Sequence, residues 1–118
     1  DISQVKVKDY DLLVLPGGVK ALEKTRQEKR FIKFISDFYK ADKVIACICS
    51  GVQLLISAKI VKGKKIAGYY SLEDDIVNAG AIYTDKPAVV DGKIVTTAHY
   101  KDLGPWMKAA LSFFNEKK

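Results

Sequence analysis

Residues 44–48, Val-Ile-Ala-Cys-Ile, are five apolar residues in a row, and they run straight into Cys49-Ser50-Gly51. A strand with one wet face alternates apolar and polar residues. An unbroken apolar run of this length is instead a strand buried on both faces, the signature of a parallel sheet sandwiched between helices. Residues 11–15, Asp-Leu-Leu-Val-Leu, repeat the pattern and stop at Pro-Gly-Gly. Between the two runs, from Gln27 to Lys40, Phe31, Phe34, Ile35 and Phe38 fall at i, i+3, i+4 and i+7 with polar residues opposite. That spacing predicts an amphipathic helix.

The rest of the chain continues the alternation. Gly51 to Ile60 reads as a helix closed at Gly63, and residues 65–69 read as a possible strand. Ser71 with Asp74 three residues later resembles a capping box that opens a short helix through Val77, which stops at Asn-Ala-Gly with Gly80 past its end. Residues 81–84, 88–92 and 93–98 are short β-rich runs, and the Asp91-Gly92 pair between the last two is a hairpin signal. A final helix carries Leu103, Trp106, Met107, Ala110, Leu111 and Phe114 on one face, with Pro105 tolerated in its first turn. The expected architecture is α/β, with a mostly parallel sheet covered on both sides and a C-terminal β-hairpin.

Composition narrows the function classes. With 48% hydrophobic and 29% charged residues, the chain is of ordinary globular composition rather than disordered. The formal charge of +6 is spread out, and its densest cluster, Lys-Gly-Lys-Lys at 62–65, has no interleaved aromatic residues to stack bases, so no nucleic-acid partner is expected. The longest apolar stretch, 44–58, is interrupted by Ser50, Gly51 and Gln53 and falls short of the ~20 residues of a membrane span. Two cysteines two residues apart suit neither a disulfide framework nor secretion, which points to a reducing cytoplasm. One histidine and no third cysteine leave too few ligands for a metal site, and no cofactor is expected.

In a sheet of this kind, chemistry collects at the carboxyl ends of the strands, where Cys49 lies. A nucleophile followed by Ser50-Gly51 at a strand-to-helix junction has the layout of a nucleophile elbow, in which small residues let the backbone turn sharply and hold the side chain up. The helix start supplies N–H groups and the positive end of a dipole, both of which favour a thiolate, and the same N–H groups can form an oxyanion hole. The competing reading makes Cys49 a small buried hydrophobe, as free cysteines often are. Cys47, inside the strand, is read as core.

Four segments then resemble the PfpI/ThiJ superfamily in order and spacing: residues 15–18 (LPGG), 48–66 (ICSGVQLLISAKIVKGKKI), 74–81 (DDIVNAGA) and 89–99 (VVDGKIVTTAH). The superfamily includes intracellular cysteine proteases, protein deglycases, glyoxalases and stress chaperones on a flavodoxin-like, class I glutamine amidotransferase-like fold. The resemblance implies one domain over residues 1–118, incomplete at its N-terminus, because the superfamily's first strand-helix-strand segment has no counterpart here. It also implies Cys49 as the nucleophile, with Ser50, Gly51, Val52, Gly17 and Gly18 forming the elbow and oxyanion site. Glu23 matches a glutamate that reaches the cysteine across an oligomer interface, so a dimer or higher oligomer is expected.

Two departures matter. The protease-like branch has a histidine directly after the cysteine and a proline after the glycine, where this chain has Ser50 and Val52. A serine hydroxyl cannot act as a base near neutral pH. Three functions therefore compete. The first is a cysteine-dependent enzyme of deglycase or glyoxalase type, acting on small carbonyl compounds or on modified proteins and peptides. The second is a cysteine peptidase or amidase, with His99 as a possible base in a glutaminase-like arrangement. The third is a redox-sensing or chaperone protein in which Cys49 is oxidised rather than turned over.

Overall fold

The computed structural model describes residues 6–17 and 24–115. Among the described residues four strands make the main sheet: β1 (Leu12–Leu15), β2 (Val44–Ile48), β5 (Val89–Asp91) and β6 (Ile94–Thr97). They lie in the order β1-β2-β6-β5, parallel except for the β5/β6 pair. β1 and β2 are joined through α1 (Lys29–Lys40), so the two apolar runs flank a crossover helix as their patterns predict.

The continuous apolar character of β2 follows from its place between two helical layers. Ile45 and Cys47 face one core with Leu15 of β1, Phe34, Ile35 and Phe38 of α1, and Leu54 and Leu55 of α2 (Val52–Ser57). Val44, Ala46 and Ile48 face a second core with Val95 of β6 and Trp106 and Ala110 of α4 (Leu103–Asn115). Each face of the strand is thus apolar for a different partner.

The hairpin forms as expected, with Asp91 opposite Ile94 and Gly92 at φ +61°. Asp91 also accepts the Lys65 N–H through Oδ2 at 2.8 Å, and Thr96 Oγ1 accepts the Ala67 N–H at 2.8 Å. These bonds hold a two-stranded parallel ladder, β3 (Lys65–Ile66) with β4 (Ile82–Tyr83), beside the main sheet. After Ile66 the Ala67 N–H goes to the Thr96 hydroxyl and the Tyr69 N–H to the Cys49 carbonyl, which is why only part of residues 65–69 is strand.

Three sequence expectations need correcting. The helix expected over 51–60 spans only Val52–Ser57, after a 3-10 turn at Cys49–Gly51. It ends where Lys59 turns left-handed at φ +61°, with Ile60 N–H reaching back to Leu55 O at 3.4 Å, so that Ile60 and Val61 can enter the core. Ser71 lies inside a 3-10 turn, Tyr70–Leu72, and α3 (Glu73–Asn78) has no side-chain N-cap. Glu73, Asp74 and Asp75 in its first turn complement the helix dipole instead. Gly80, at φ +89°, closes α3 as expected, its N–H bonding Val77 O while Ala81 N–H bonds Ile76 O. On α4, Trp106 and Ala110 are buried but Leu103 and Leu111 are exposed, because the sheet covers a stripe narrower than the apolar face of the sequence.

Candidate active site

Cys49 immediately follows β2, at the carboxyl end of the strand that pairs in parallel with both β1 and β6. Its backbone is left-handed, at φ +59°. Among the described residues two other non-glycine positions share that conformation, Asp42 and Lys59, and both close helices: Asp42 follows α1 after its cap residue Ala41, and Lys59 follows α2 after its cap residue Ala58. Helix closure explains those two. Cys49 closes no helix, so its strain belongs to the turn that presents its side chain. The turn is therefore made by the cysteine itself. Gly51, at φ −58°, does not make it.

Gly51 is small for another reason. A methyl carbon built on it would sit 2.6 Å from the Leu15 carbonyl oxygen and 2.9 Å from that of Pro16. Only a residue without a side chain lets the elbow lie this close to the end of β1. Gly17 packs similarly from the other side: a methyl carbon there would lie 3.1 Å from Cys49 Cβ and 3.2 Å from Ser50 Oγ. The segments at 15–17 and 49–51, at the carboxyl ends of neighbouring strands β1 and β2, thus close on each other beside Cys49.

The two cysteines have separate environments. Cys49 is partly exposed, whereas Cys47 is 1% exposed in the core. Burial in apolar surroundings pushes the Cys47 thiol far above the ordinary thiol range, with a smaller contribution from Cys49 nearby. Cys47 is the structural cysteine that its position inside the strand suggests.

Ser50 is buried, and Val52 is buried in α2 with its N–H turned to the Ser50 carbonyl. His99 lies just past β6, where its Nδ1 accepts the Lys101 N–H at 3.1 Å. That bond requires an unprotonated Nδ1, so a neutral His99 carries its proton on Nε2 and offers no lone pair there for a nucleophile's proton. Gly18 and Glu23 lie outside the described residues.

Two contacts at the elbow were not foreseen from the sequence. Tyr69 N–H donates to the Cys49 carbonyl at 3.2 Å, pinning the segment after β3 to the strained residue. Tyr100 reaches over from the end of β6, and its phenol oxygen accepts the Gly17 N–H at 3.2 Å. The available signal was position: Tyr100 follows His99 at a strand's carboxyl end, where side chains converge on a site.

Fold and elbow together define an α/β protein with a cysteine presented from a strained strand-to-helix turn. The profile of the DJ-1/PfpI family matches residues 1–112, and the chain belongs to that family. It is 39% identical over 105 residues to deglycase PfpI of Pyrococcus furiosus, covering 89% of this chain and 63% of the relative. It is 37% identical over 111 residues to protein/nucleic acid deglycase 2 of Escherichia coli, covering 93% and 64%. A crystal structure of a two-domain protein from Anabaena variabilis, with DJ-1/ThiJ/PfpI-like and ferritin-like domains, superposes with TM-score 0.92 at 32% identity over 97% of this chain and 32% of that one. The chain therefore spans less than two thirds of the length of these curated relatives.

Proposed function

We propose that residues 1–118 form a single domain of a cysteine-dependent enzyme that acts on reactive carbonyls or their protein adducts, with Cys49 as nucleophile. The observation that carries this reading is the left-handed Cys49 at the carboxyl end of β2, strained without any helix to close. A fold tolerates such a residue where the side chain's position is useful.

The chemistry follows from what surrounds the sulfur. A thiolate adds to an aldehyde or ketone carbon, the C–S bond forms, and the π pair of the C=O bond moves onto oxygen. The developing alkoxide needs a hydrogen-bond donor, for which the Gly51 N–H at the elbow is the candidate. A peptide substrate would need more: the leaving amine must be protonated by an acid that first served as base. Ser50 cannot serve, and His99 presents the wrong tautomer while its Nδ1 is held by Lys101. The deglycase names of the two relatives support the carbonyl reading. Among the described residues no helix is long and apolar enough to cross a membrane. Glu23 as a contributor across a homo-oligomer interface is part of the same proposal.

A substrate panel tests it. The full-length protein is expected to consume glyoxal or methylglyoxal slowly, forming the hydroxy acid, and to show little cleavage of casein and no ammonia release from glutamine. Robust casein cleavage with methylglyoxal untouched would overturn the assignment in favour of a peptidase.

A further inference from the structure

The hydrogen bond between Tyr100 and Gly17 joins two turns that are far apart in sequence, and it leaves the phenol half used. The oxygen of Tyr100 accepts the Gly17 N–H at 3.2 Å, but among the described residues no group accepts the phenol's own proton. Tyr100 is half exposed, so its ring is reachable from solvent. Gly17 in turn packs against Cys49, a methyl carbon at Gly17 lying 3.1 Å from Cys49 Cβ. The phenol is thus held by a backbone donor at the rim of the thiol's surroundings. An O–H whose oxygen already accepts a hydrogen bond is polarised and becomes a stronger donor.

We propose that Tyr100 is a catalytic residue of the carbonyl reaction, donating its phenol hydrogen to the substrate oxygen as Cys49 adds. This rests on the reading of Cys49 as the nucleophile. In the step, the sulfur lone pair forms the C–S bond and the C=O π pair moves onto oxygen. The Tyr100 O–H then gives its proton to that oxygen, producing a hemithioacetal or hemithioketal hydroxyl, and the phenolate is reprotonated by water. Gly17 N–H stabilises the transient phenolate through the bond it already makes. The role explains why an aromatic residue with an oxygen at its tip spans the gap between the end of β6 and the end of β1.

The same thiol undergoes two reactions that separate this role from a general effect. Addition to methylglyoxal places negative charge on oxygen, whereas alkylation by iodoacetamide expels iodide and creates no oxyanion. Tyr100→Phe keeps the ring and removes only the oxygen. The expected result is a roughly hundredfold fall in methylglyoxal turnover, with the iodoacetamide rate at Cys49 and the melting temperature unchanged. Weaker protection of Cys49 by methylglyoxal against iodoacetamide should accompany it. Unchanged turnover in Tyr100→Phe, when Cys49→Ser abolishes it, overturns the role of Tyr100 and leaves the nucleophile standing. Equal slowing of both reactions also overturns it, since Tyr100 would then act on the elbow as a whole. If wild-type Cys49 does not add methylglyoxal at all, the carbonyl reading falls and takes this role with it.

Discussion

Gly51 lies so close to the end of β1 that a single methyl carbon on it would come within 2.6 Å of the Leu15 carbonyl oxygen. The obstacle is backbone on both sides, Leu15 and Pro16, and it cannot swing away as a side chain would. Gly51→Ala should therefore displace the elbow or destabilise the fold by about 1–3 kcal/mol. Urea denaturation with peptide-level alkylation checks it: a variant as stable as wild type with unchanged Cys49 reactivity would show that the turns are not locked together.

Trp106 ties α4 to the sheet. It is 2% exposed, and its Nε1–H donates to the Val95 carbonyl at 3.1 Å. Trp106→Phe preserves part of the ring but removes the donor and leaves a gap, so it should cost about 1–3 kcal/mol. Denaturation followed by circular dichroism measures the loss.

Cys47 makes stability depend on pH in one direction. In the folded protein burial keeps its thiol protonated, while in the unfolded chain it ionises above about pH 8.5. Above that pH the unfolded state binds fewer protons, so stability falls as pH rises. Cys47→Ala removes this pH dependence. The stability advantage of wild type over the variant should shrink by up to about 1.4 kcal/mol for each pH unit above ~8.5. A constant difference from pH 7 to 10 would mean that Cys47 ionises freely in the fold.

The same burial predicts selective labelling. Limited iodoacetamide at pH 7 should modify Cys49 and leave Cys47 intact until the protein unfolds, as read by peptide mass spectrometry. Equal labelling of the two in the native protein would contradict the different environments of the two thiols.

The parts legible in the sequence are those governed by periodicity. Val44–Ile48 announced a doubly covered strand, Phe31 to Phe38 an amphipathic helix, and Asp91-Gly92 a hairpin, because each pattern has one cheap solution. The elbow was legible as a location and not as a geometry. Residues 49–51 suggested that glycine makes the turn, but the left-handed φ falls on Cys49, and Gly51 is required by the approach of Leu15 and Pro16. Such a contact depends on β1 and β2 lying in register, which no local pattern reports. Tyr100 escaped for the same reason: its partner, Gly17, is 83 residues away. The apolar spacing of residues 51–60 extends past the end of α2 because nothing in the sequence marks Lys59 as the residue that turns left-handed.

The most direct test of the account is methylglyoxal turnover measured side by side in full-length wild type, Cys49→Ser and Cys47→Ala. With Cys49 as the nucleophile, wild type and Cys47→Ala form the hydroxy acid, while Cys49→Ser falls to the uncatalysed rate. Turnover that survives in Cys49→Ser would contradict the account, because the strained residue at the end of β2 would then not be the group that attacks the carbonyl.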